Sequence, residues 1–136
     1  MARIKKSPNG DTPFQKLLGH NKDILVKWSA LGETLVRDGV LSAKLKEQVR
    51  RTLAQENGCE YCKAKGKPDP KVMDERMLVA AGFAEVFLKH KGNIPDHAFG
   101  VITEYFTEIE ISELCAFIAF TTASQYFGAM MRLEAE

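Results

Sequence analysis

Apolar residues recur at intervals of three and four along almost the whole chain, and no segment alternates long enough to argue for a sheet. Between positions 21 and 37, Ile24, Leu25, Trp28, Leu31 and Leu35 fall on one face before Asp38-Gly39 stops the run. That spacing predicts an amphipathic helix. Ser42 is placed to cap the next one, with Leu45, Val49, Thr52 and Leu53 on one side and lysine, arginine and glutamine on the other. Asn57-Gly58 ends it, since either residue accepts the left-handed conformation that closes a helix. A short helix is expected from Cys59 to about Lys65, followed by a loop through Gly66-Lys67-Pro68-Asp69-Pro70.

The stretch from Met73 to His90 is apolar on two faces. Met77, Leu78, Ala81 and Leu88 mark one, and Val79, Phe83, Val86 and Phe87 the other. Such a helix is expected to be buried on both sides, within the domain or between subunits. Lys91-Gly92-Asn93 closes it and Pro95-Asp96 opens another, to about Phe106. Thr107 and Glu110 then fit a capping box for a last helix carrying Ile111, Leu114, Cys115, Ile118 and Thr122, widened by Phe117, Phe120 and Phe127. Asp11-Thr12-Pro13 is a helix start as well. The pattern predicts an all-α domain of about six to seven helices over residues 13–136, behind a flexible lead-in at 1–12.

A length of 136 residues suits one domain with a real core, and 45% apolar with 27% charged residues is ordinary for a globular protein. A net charge of +1 gives no reason to expect nucleic acid or an anionic membrane as partner. The basic N-terminus is not followed by an apolar stretch, so it does not read as a secretory signal, and no run is long enough to span a membrane. Three cysteines suit a reducing cytoplasm better than a disulfide-stapled secreted fold.

Chemistry concentrates at Cys59-Glu60-Tyr61-Cys62. Two thiols three positions apart share a helix face and can close a disulfide. Cys59, at a helix start, would lie against unpaired amides that favour thiolate, the nucleophile in peroxide reduction and disulfide exchange. Attack on a peroxide leaves a sulfenic acid that the neighbouring thiol resolves, and which of the two attacks stays open. Glu56 and Glu60 oppose the thiolate by their charge. Glu47 stands twelve positions before Cys59, roughly 18 Å away along a straight helix, so it reaches the thiols only if the chain turns back at Asn57-Gly58. Partly buried, it would have a raised pKa and could shuttle a proton; at the surface, it would pair with Arg50 or Arg51.

Glu47, Gln55-x-Asn57-Gly58 and Cys59-x-x-Cys62 together resemble the AhpD-like alkylhydroperoxidase, or carboxymuconolactone decarboxylase, family. The similarity is closest from Leu45 to Ala64. The resemblance implies an all-α protein assembled as a trimer or hexamer, with no cofactor. It implies reduction of a hydroperoxide or disulfide substrate at the cysteine pair, Glu47 in a proton relay, and a thiol electron donor. The family's relay includes a histidine four positions after the second cysteine; here that position is Gly66. Tyr61, His90 and His97 are the substitutes to weigh, although Tyr61 has an ordinary pKa near 10 and is a poor base.

Other readings stay open at this stage. The chain could be a non-enzymatic helical assembly with a redox-sensing or vestigial pair, and Gly66 speaks for that. The decarboxylase branch does not rely on a cysteine pair. Zinc needs four ligands, which Cys115 with His90 or His97 would have to complete. Cys115, between Leu114 and Ala116, is otherwise a small core residue. A pocket lined by Phe83, Phe87 and Phe117 beside the cysteines would take an apolar hydroperoxide.

Overall fold

A computed structural model describes residues 1–135; Glu136, assigned above to the helical domain, lies outside the described residues. Seven α-helices and one 3₁₀ turn, with no strand among the described residues, make the all-α fold the periodicity predicts. The helices are α1 (Pro13–Leu18), α2 (Lys22–Val36), α3 (Ala43–Ala54), α4 (Glu60–Lys63), α5 (Glu75–His90), α6 (Asp96–Tyr105) and α7 (Glu108–Met130). Local chemistry sets their ends. Thr12 and Thr107 form reciprocal capping boxes with Gln15 and Glu110, and Ser42 caps α3 through the Leu45 amide. Asp74 caps α5 through the Met77 amide, which starts that helix two residues after the expected Met73.

The main core lies between α3, α5, α6 and α7. Leu45, Val49 and Leu53 of α3 meet Met77, Ala80, Phe83 and Ala84 of α5, with Ile102, Leu114, Phe117 and Ile118 closing the far side. One face of α3 is less polar in its surroundings than the sequence suggests. Lys46 is only 1% exposed, with its ammonium 3.3 Å from Glu113 Oε2 and donating to Arg37 O at 2.8 Å. Glu113 also accepts the Leu41 amide at 2.8 Å, so this single pair holds the α2–α3 connection against α7.

Two expected apolar faces are less covered than predicted. On α2 only Leu35 is buried, while Ile24 and Leu31 are about half exposed because α2 meets α7 mainly through Trp28. On α5 the Met77, Ala80, Ala81, Phe83 and Ala84 side is buried, but Leu78 is exposed. Cys115 is half-buried at the edge of the core, and burial pushes its thiol pKa up.

A second, smaller apolar cluster sits apart from this core. Leu17, Cys59, Tyr61 and Leu133 are its buried members, with Ala2, Phe14, Cys62, Phe127, Ala129 and Met131 packed around them. Both ends of the chain build it. The Arg3 amide donates to Met131 O at 2.8 Å, and Ser7 is buried with its hydroxyl donating to Lys16 O at 2.7 Å. No helix among the described residues is long and apolar enough to cross a membrane.

Candidate functional site

The chain does turn back after α3, as the reach of Glu47 requires. Gly58 takes φ +82°, a conformation costly for residues with a Cβ, and the chain re-enters as α4. Asn57 is buried and fixes the turn: its amide nitrogen donates to Gln125 Oε1 at 2.8 Å, and Gln125 donates onward to Arg50 O at 3.2 Å. Two α-helices and the turn are thereby tied at one point.

Cys59 is the N-cap of α4 rather than its first residue, and its sulfur accepts the Cys62 amide at 3.2 Å. The two Cα atoms are 5.2 Å apart and the sulfurs lie at bonding distance as a disulfide. The partners are not equivalent. Cys59 is 1% exposed and faces the small cluster, whereas Cys62 is partly exposed and lines a cavity of about 380 Å³. With only four residues, α4 contributes little dipole, so the expected help from a helix start reduces to that one amide.

Gly128 of α7 permits the close approach. A Cβ there would lie 2.5 Å from Cys59 Sγ and 3.7 Å from Cys62 Sγ, so only glycine leaves room for the sulfur pair against the helix. Spacing along the sequence gave no hint of it, because Gly128 lies far downstream in an apolar helix.

Glu47 pairs with both neighbouring arginines. Arg50 Nε and Nη2 donate to its two oxygens at 2.7 and 3.0 Å, and Arg51 Nε donates at 2.9 Å. Burial pushes the carboxyl pKa up, but the hydrogen bonds and charges of Arg50 and Arg51 outweigh it and hold the pKa below its ordinary value. The raised pKa considered above is therefore not what this carboxylate has. Arg50 then extends to α4: its Nη1 donates to Cys62 O at 3.0 Å, and its side chain lines the same cavity as Cys62. The structure thus joins Glu47 to the pair through Arg50.

Gly66 takes φ +124°, and a Cβ there would meet the Arg51 guanidinium at 3.2 Å. Arg51 also donates to Lys67 O at 3.3 Å. His90 and His97 are exposed on α5 and α6, and neither lines the cavity. Among the described residues, no three histidine, cysteine or acidic side chains gather as a metal site would require, so Cys115, His90 and His97 do not complete one with the pair.

The cavity itself departs from the expected lining. Phe117 contributes, but Phe83 and Phe87 belong to the main core instead. Their places are taken by Phe14 of α1, Trp28 of α2 and Phe120 of α7. Trp28 packs on Phe120 with ring centroids 5.3 Å apart and donates to Ser124 Oγ at 3.2 Å. Its position on an amphipathic helix signalled burial, not a cavity wall. The arrangement is a cysteine pair at disulfide distance with one sulfur sealed and the other open to an aromatic cavity. No protein-family model matches the chain, and no curated protein matches it.

Proposed function

We propose that this protein is a thiol-dependent hydroperoxide reductase of the AhpD-like kind, working through Cys59 and Cys62. The observation that carries the reading is the asymmetry of the pair: Cys62 opens onto the cavity while Cys59 lies sealed behind it within bonding reach. The Cys62 thiolate attacks the terminal oxygen of an organic hydroperoxide, the O–O bond breaks, and the departing alkoxide takes a proton from water. The sulfenic acid so formed is attacked by the Cys59 sulfur. The S–S bond forms, and the Cys59 proton leaves with the hydroxide as water. One hydroperoxide and two thiols give an alcohol, a water and a disulfide, which an external dithiol reduces. A reducing compartment such as the cytoplasm suits that cycle. The aromatic walls suit an organic hydroperoxide better than a small polar one. Assembly into a trimer or hexamer belongs to the same reading.

The test mixes reduced protein with cumene hydroperoxide and follows intact mass. Loss of two hydrogen atoms to a Cys59–Cys62 disulfide is expected. In Cys59→Ser, a Cys62 sulfenic acid should be trapped by dimedone, and Cys62→Ser should be inert. A parent protein that keeps both thiols would sink the proposal. It would then favour a non-enzymatic helical assembly, the reading to which the doubly paired Glu47 and the absent base at Gly66 lend weight.

A further inference from the structure

A thiol peroxidase needs its attacking sulfur ionised, and the place where a relay histidine would stand is closed in this chain. Position 66 has a backbone that L-residues rarely adopt, and the space above it holds the Arg51 guanidinium. The Glu47 carboxylate is held by two arginines. What α3 brings to the Cys62 backbone and to the cavity that Cys62 lines is charge. One carboxylate against two guanidiniums leaves a net +1, and Arg50 carries part of it to α4, donating to the Cys62 carbonyl and lining the same cavity as Cys62.

We propose that Arg50 is the positioning residue of the thiol site, stabilising the Cys62 thiolate by its charge and pinning the α4 backbone, with Glu47 orienting it. The inference rests on the reading of the pair as a thiol redox centre, but it concerns how the thiolate is made rather than what it attacks. The two atoms of Glu47 that bind Arg50 leave Nη1 to turn toward α4, so the carboxylate acts through the guanidinium. An opposite charge near a thiol favours ionisation without moving a proton through any side chain.

Other charged groups lie near Cys62. Glu60 and Lys63 are exposed neighbours on α4, and Lys65, just beyond it, lines the cavity with its ammonium 4.4 Å above the Tyr61 ring. From α2, Glu33 lines the cavity, and α7 presents Thr121, Ser124 and Gln125, none of which titrates. Of the charged side chains named here, the Arg50 guanidinium donates to the Cys62 carbonyl at 3.0 Å.

The experiment uses a Cys59→Ser, Cys115→Ser chain, in which Cys62 is the only thiol, and follows thiolate absorbance and iodoacetamide alkylation against pH. The parent thiol should titrate below the free-cysteine value of about 8.5. Arg50→Gln should raise its pKa by about one unit, with alkylation at neutral pH slowed about tenfold, while Arg50→Lys keeps most of the effect. Should Arg50→Gln fail to fold, the parent alone decides: screening of a fixed cation should raise the Cys62 pKa as salt is added. A Cys62 pKa unmoved by Arg50→Gln, or by salt in the parent, overturns the proposal. Because alkylation needs no peroxide, a protein inert to hydroperoxides would refute the proposed function and leave this result standing.

Discussion

The main core and the small cluster around the cysteine pair are built on different terms. The core joins four helices through faces that each run for several turns, and residues such as Val49, Leu53, Ala80, Ala84 and Leu114 are completely enclosed. The cluster has four buried members, a four-residue helix and two chain ends. Core stability comes from area, which scales with the number of enclosed side chains. The cluster depends on single fits: one glycine under a sulfur, one amide in a turn, one guanidinium across a carbonyl. Reactive groups placed in such a region can change state without disturbing the scaffold.

The largest effect should come from cutting the polar pin of the scaffold. Glu113→Ala leaves Lys46 enclosed without its partner and is expected to cost about 3–5 kcal/mol, read as a cooperative loss in urea unfolding. Unfolding that spares the core while releasing the cysteine cluster would erase the distinction between the two regions. Gly128→Ala acts at the boundary. Its Cβ would drive into Cys59 Sγ, costing about 1–3 kcal/mol, and disulfide closure should slow by far more than a stability loss of that size explains. An unchanged closure rate would show that α7 does not shape the pair.

Gly66→His comes next, at about 1–2 kcal/mol of strain. It should not speed hydroperoxide turnover; a gain would mean that a relay can still be completed there. The smallest effect is that of Glu47. Its folded pKa is lowered, so its contribution is complete above the ordinary carboxylate value of 4.5 and is lost as pH falls through the folded value. With 41% of the side chain exposed, solvent screening holds that contribution below about 1 kcal/mol. Urea midpoints of parent and Glu47→Gln should differ at neutral pH and converge on acidification. A constant gap would assign Glu47 no ionic role in stability.

The scaffold was largely legible in the sequence because its determinants are local. Thr12, Ser42 and Thr107 announce helix starts within four residues of themselves, and the three- and four-residue recurrence in α3 and α7 marks the faces that are buried. Lys46 broke that logic: a lysine on a helix reads as solvated until a carboxylate 67 positions on is folded beside it. The cysteine pair and its Asn57-Gly58 turn were legible for the same local reason. Gly128, Gln125, Trp28 and Phe14 were not, since each joins the site across a long stretch of chain and none carries a motif. Glu47 was half legible. Its neighbours at three and four positions on were visible as partners, but that both would hold it, and that Arg50 would carry on to Cys62, depends on where the turn delivers α4.

The segments around Ala2 and Leu133 meet at the cluster that encloses Cys59. Ala2 packs in the group that contains Cys59, Arg3 bonds to Met131, and Leu133 bonds back to Gly128. Substituting Leu133 by alanine is therefore expected to loosen the wall around the buried Cys59 sulfur while leaving the main core in place.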